Sequence, residues 1–225
     1  MLPFPDDLHT VAQRGSQTGR QVAFDEAAMP RNALGDPVAA ADYNLNDGFS
    51  PGQTIVVKVP GLDTPEALAA TDPVSLSRLG RYTEKQSPVV VVDTETNDRW
   101  PIWVEIDSNA STPGRTALLI HPARNFGAGH RYTVGMRKLR NGAGTKLEAP
   151  EGFRYLRDAL PVKNPVVTAQ RKRFDKVFRD LRKAKAWLAR RQVSLDGVIA
   201  KRLDLPHRPS ARAMLKVKRL RTADC

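Results

Sequence analysis

Between residues 54 and 134 the chain repeats one device: a short β-branched or aromatic run, then a residue that stops it. Thr54-Ile55-Val56-Val57-Lys58-Val59 ends at Pro60-Gly61, and Val89-Val90-Val91-Val92 ends at Asp93. From Trp100 to Ile106 the chain alternates, with Ile102, Val104 and Ile106 on one face and Trp103 and Glu105 on the other. Pro101 lacks a backbone N–H, which puts the start of that run at a sheet edge or a strand end. Ala117-Leu118-Leu119-Ile120 and Tyr132-Thr133-Val134 complete the series, and Asn141-Gly142 is a strong turn dipeptide. Short strands separated by turn signals, with no long helical pattern among them, predict a mainly β fold: an antiparallel β-sandwich. Pro65-Glu66-Ala67-Leu68-Ala69-Ala70 predicts a short helix beside a loop. Residues 1–50 are rich in Pro, Asn, Asp, Gly and Ala, and predict an extended lead-in wrapped on a neighbouring core.

The periodicity changes after Pro161 and Pro165. From Val166 to Gln192 the apolar residues Phe174, Val177, Phe178, Leu181 and Leu188 recur at helical spacing. The opposite face carries Arg171, Lys172, Arg173, Lys176, Arg179, Arg182, Lys183 and Lys185. Such a face is either simply solvated or a surface for nucleic acid or membrane. These shifts divide the chain into a β-domain at 1–160, a basic amphipathic helix at 161–192 and a terminal segment at 193–225.

Charge follows the same division. Residues 1–150 hold 15 Lys+Arg against 17 Asp+Glu, whereas residues 151–225 hold 21 against 7, so the net charge of +12 comes from the last third. That asymmetry makes DNA the expected partner of the basic C-terminal third. No apolar run approaches the ~18 residues of a membrane span. The single cysteine, Cys225, excludes an internal disulfide framework. Met1-Leu2-Pro3-Phe4-Pro5-Asp6-Asp7 lacks the basic start and apolar stretch of a secretory signal, which predicts a cytoplasmic protein.

Two further patterns are excluded as chemistry. Gly48-Phe49-Ser50-Pro51-Gly52 fits the G-x-S-x-G pattern of serine hydrolases. That mechanism needs a strand before the serine and a helix after it, and here a polar stretch precedes and a strand follows. Pro51 also has no N–H to give to an oxyanion hole. The histidines His9, His121, His130 and His207 show no metal-ligand spacing.

Leu2-Pro3-Phe4-Pro5-Asp6-Asp7, then Asn44-Leu45-Asn46-Asp47-Gly48-Phe49-Ser50 and a following strand, resemble the N-terminal region of large secreted bacterial lipase/esterase-like proteins. Tyr132-Thr133-Val134 leading to Leu139-Arg140-Asn141-Gly142-Ala143-Gly144 resembles the closing strand and turn of bacterial immunoglobulin-like domains. The resemblance runs to about residue 185. It implies an Ig-like sandwich acting as a non-catalytic accessory or interaction module, and the relatives it points to are secreted.

The terminal segment carries a different resemblance. Leu195-Asp196-Gly197-Val198-Ile199-Ala200-Lys201-Arg202-Leu203-Asp204-Leu205-Pro206 is followed by Met214-Leu215-Lys216-Val217-Lys218-Arg219 and Thr222-Ala223-Asp224-Cys225. This string is similar to motifs IV and V of the adenylation (nucleotidyltransferase) domain of bacterial ATP-dependent DNA ligases. The resemblance implies ATP and Mg²⁺ as cofactors, with Asp196 helping to hold the metal. It also implies that Lys216 and Lys218 meet the α-phosphate, with Lys201 near the same pocket. Phosphoryl transfer concentrates negative charge, which a divalent ion and fixed cations must offset. The family's nucleophile lies in Lys-x-Asp-Gly, which occurs nowhere in this sequence. His207 and Ser210 stand where the family usually has an aromatic residue and a glycine. The expected protein is therefore a composite: an Ig-like β-domain and a basic helix joined, near residues 185–193, to a short ligase-like β fragment. Such a composite would hold no catalytic residue set of its own and would not be ligation-competent. It arises by recombination, by gene decay or by a misassigned reading frame.

Overall fold

The computed structural model describes residues 2–110, 112–190, 197–201 and 214–218. The chain divides into two compact units, Met1–Lys185 and Ala186–Cys225.

The first unit opens with β1 (Thr10–Ala12) and β2 (Arg20–Val22), an antiparallel pair, and the short helix α1 (Ala40–Tyr43). The lead-in forms more regular structure than its composition predicts. Its aromatic side chains explain why. Phe24 packs with Phe4, His9, Tyr43 and Phe49, ring centroids 5.5–6.3 Å apart. Phe4 then pairs with Val56, exchanging two backbone hydrogen bonds of 2.8 Å, so the lead-in covers an open strand edge.

Next come β3 (Ile55–Val57), α2 (Pro65–Thr71), β4 (Val89–Asp93), β5 (Arg99–Trp100), β6 (Ile102–Ile106), β7 (Leu118–Pro122) and β8 (Tyr132–Met136). Helix α2 begins where Thr64 accepts from the Ala67 N–H and Pro65 occupies the first turn. The strands build two three-stranded sheets, β3-β7-β6 and β5-β4-β8, and every pairing is antiparallel. The run predicted as one strand from Trp100 to Ile106 is shared between both sheets. Trp100 pairs with Val91 of β4, and Ile102 pairs with Pro122 of β7. Pro101 lies at the change, where its missing N–H cannot continue a ladder.

Both sheets face one core. Ile55, Val57, Ile102, Val104, Leu118 and Ile120 from one meet Val89, Val91 and Trp100 from the other, with Leu62 and Ala67 filling the side. The alternation read from residues 102–106 holds: Ile102 and Val104 are buried and Glu105 is exposed.

The chain continues with α3 (Glu151–Arg157) and α4 (Pro165–Arg190), the latter where a helix over 166–192 is expected; residues 165–185 of α4 belong to the first unit. Pro165 is its first residue, a position where the absent N–H costs no hydrogen bond. Phe174 and Phe178 of α4 cluster with Phe153 of α3. Leu181 packs over Gly135 of β8, beside Val90 of β4. The helix thus covers the outer face of the second sheet, which suits the unbroken valine run of β4. Beyond the end of α4, the described part of the second unit is a two-stranded antiparallel ribbon, β9 (Gly197–Lys201) with β10 (Met214–Lys218). The fold is mainly β with antiparallel sheets. Among the described residues, no helix is long and apolar enough to cross a membrane.

Candidate functional site

The register of the β9–β10 ribbon fixes where three predicted site residues stand. Lys201 lies opposite Met214, Lys216 opposite Ile199 and Lys218 opposite Gly197. Directly opposed residues in an antiparallel pair share a face, and positions two apart along a strand share a face. Lys201, Lys216 and Lys218 therefore occupy one face of the ribbon, together with Gly197, Ile199 and Met214. Val198, Ala200, Leu215 and Val217 occupy the other. One face is apolar and the other carries three basic positions spread over about 14 Å of strand. Glycine at 197 leaves the position across from Lys218 without a side chain. Lysine positions along one strand face suit phosphate oxygens, each lysine serving as a point charge rather than a fork.

Asp196, the predicted metal residue, and His207 lie outside the described residues. Among the described residues, no three His, Cys, Asp or Glu side chains converge on a metal-binding position.

The other candidates fall in the first unit and are used in packing. Ser50 is exposed in a turn closed by the Gln53 N–H donating to the Ser50 carbonyl at 3.0 Å, and β3 follows rather than a helix. His9 stacks among the lead-in aromatics. His121 of β7 is held at both ring nitrogens, by Thr54 Oγ1 and Glu105 Oε1, each 2.9 Å away. Its ring also stacks on Trp103 at 4.7 Å.

Sequence spacing gave no sign of a contact that holds a buried carboxylate. His130 Nδ1 lies 2.8 Å from Asp93 Oδ2, and the Asp93 side chain is 1% exposed. Burial alone would push the Asp93 carboxyl up. The His130 contact and the N–H groups of Glu95 and Thr96 outweigh it and hold the carboxyl below its ordinary range. Burial pushes the neighbouring Tyr132 phenol up to about 12, and its oxygen accepts from the Gly127 N–H at 2.7 Å. These groups close the turn after β4 and the loop before β8. Asp93 and His130 lie 37 residues apart in sequence, too far for any local pattern to join them.

A stretch of 47 residues is 53% identical to DNA ligase C2 of Mycolicibacterium smegmatis, covering 20% of this chain and 13% of that protein. The chain thus contains a segment similar to a DNA ligase, and it spans a small fraction of that ligase's length. No family model matches the chain. No solved structure matches it.

Proposed function

We propose that residues 193–225 are a ligase-derived segment that binds the phosphates of ATP–Mg²⁺, and that it binds without transferring the nucleotide. In this reading Lys216 and Lys218 hold the α-phosphate, Lys201 adds a third cation and Asp196 helps to hold Mg²⁺. The observation that carries it is the shared ribbon face of Lys201, Lys216 and Lys218, in a chain with a ligase-similar stretch. The sequence offers no Lys-x-Asp-Gly lysine to attack the α-phosphate, so no lysyl-adenylate forms. Incubation with α-labelled ATP and Mg²⁺ tests the second half: the label should dissociate on denaturation. A denaturation-stable protein–AMP adduct would contradict it.

The first unit supports a second reading, a non-catalytic Ig-like accessory or interaction domain. Its support is a core of its own, shared by two sheets, with α4 packed on the outer face of the second. Expressing residues 1–185, so that Leu181 is retained, should give one cooperative, β-rich unfolding transition. A non-cooperative melt would count against it.

A further inference from the structure

We propose that the solvent face of α4 is a docking surface for the phosphate backbone of duplex nucleic acid. This surface lies in the first unit and uses none of the ribbon lysines, so it is independent of the ATP reading.

The rotation of α4 is fixed by its packing. At about 100° per residue, Phe174, Val177, Phe178 and Leu181 centre on one side of the helix. Phe174 is buried, Phe178 joins the phenylalanine cluster and Leu181 meets Gly135. Lys172, Lys176, Arg179 and Lys183 fall within about 60° of one another on the opposite side. All four are exposed, as is Arg182 at their margin. Among the described residues none of the five has an ion-pair or hydrogen-bond partner. Two acids flank them: Asp175, which is exposed, and Asp180, which is buried at the other margin, so five cations outnumber two acids. The flanking arginines behave differently: Arg171 donates to the Leu160 carbonyl, and Arg173 lies 3.6 Å from Asp7. Cations that pack are partnered, and the outward row is left open.

Two observations select duplex nucleic acid as the occupant. A helix that binds a membrane surface inserts its apolar face, and here that face is already buried against the protein. Single strands are held by bases stacking on aromatic rings, and no aromatic residue interrupts the row from 172 to 183 on its exposed side. What remains is a rigid line of positive charge about 16 Å long, matching about five base-pair rises of one duplex strand. Recognition by such a line is electrostatic and indifferent to sequence.

The test uses the full chain and a labelled random-sequence duplex of about 20 base pairs, with anisotropy read across a salt series. Each phosphate neutralised contributes about −0.9 to the slope of log K against log salt, so four contacts give roughly −3.6. Lys176→Gln/Arg179→Gln should lower affinity about tenfold or more at low salt and reduce the slope by about 2. Lys172→Gln/Lys183→Gln should do the same, which guards against one pair acting through altered folding. Lys216→Gln/Lys218→Gln should leave the slope within about 0.5 of the parent. Absence of duplex binding at low salt overturns the proposal. So does a slope that changes only with the ribbon substitutions, or tighter binding to phosphatidylserine vesicles than to duplex.

Discussion

Leu181 of α4 rests directly on Gly135 of β8: its Cδ2 is 3.0 Å from the point where a Cβ on residue 135 would sit. Val90 Cγ2 crowds the same point at 3.1 Å. The contact ties the basic helix to the β-unit and sets which of its faces meets solvent. Gly135→Val fills that space. It should cost about 1–3 kcal/mol of stability and loosen α4 from the sheet. Urea denaturation followed by far-ultraviolet dichroism checks both, and an unchanged midpoint would mean the helix does not pack there.

Ile120 is fully buried in β7, and Val104 of β6 and Ile55 of β3 stand opposite it in its own sheet. It belongs to the core that the second sheet also faces. Ile120→Ala should cost about 2–5 kcal/mol. Because the core is shared, fluorescence from Trp100 in the second sheet, isolated by Trp103→Phe/Trp187→Phe, and dichroism should report one coincident transition. Separate transitions would show two independent sheets.

The Asp93–His130 contact gives a pH dependence with a defined sign. The folded carboxyl titrates below its unfolded value of about 3.9. Its stabilising contribution is therefore complete above that value and is lost as pH falls through the folded one. Asp93→Asn should lower stability at pH 7 by about 1–3 kcal/mol, since it breaks a buried charge-assisted contact. The same variant should lose less stability than the parent between pH 5 and pH 3. An equal acid loss in both proteins would place the titrating group elsewhere.

Much of the β-unit was legible because its strands are locally encoded. The valine run at 89–92, the alternation at 102–106 and the stop at Pro60-Gly61 each state a period or an end. The heptad-like spacing of Phe174, Phe178 and Leu181 stated α4 in the same way. The split at Pro101 was only half legible: the proline announces a break, but sheet exchange depends on partners at Val91 and Pro122. The β1–β2 pair was not legible. Its stability comes from rings at Phe4, Phe24 and Phe49, which are distant in sequence and show no period. The candidate ribbon was legible as Lys-x-Lys and an Asp-Gly start, because a period of two already puts Lys216 and Lys218 on one face. Lys201 joined them only through the register with Met214.

The most direct measurement is an ATP–Mg²⁺ binding isotherm on the full chain at low salt, set beside those of Lys216→Gln/Lys218→Gln and Lys176→Gln/Arg179→Gln. The ribbon pair should weaken ATP binding at least tenfold, while the helix pair should leave it within about twofold, as two separate phosphate sites require. No saturable binding by the parent, or equal loss in both variants, would contradict a nucleotide site on the ribbon face.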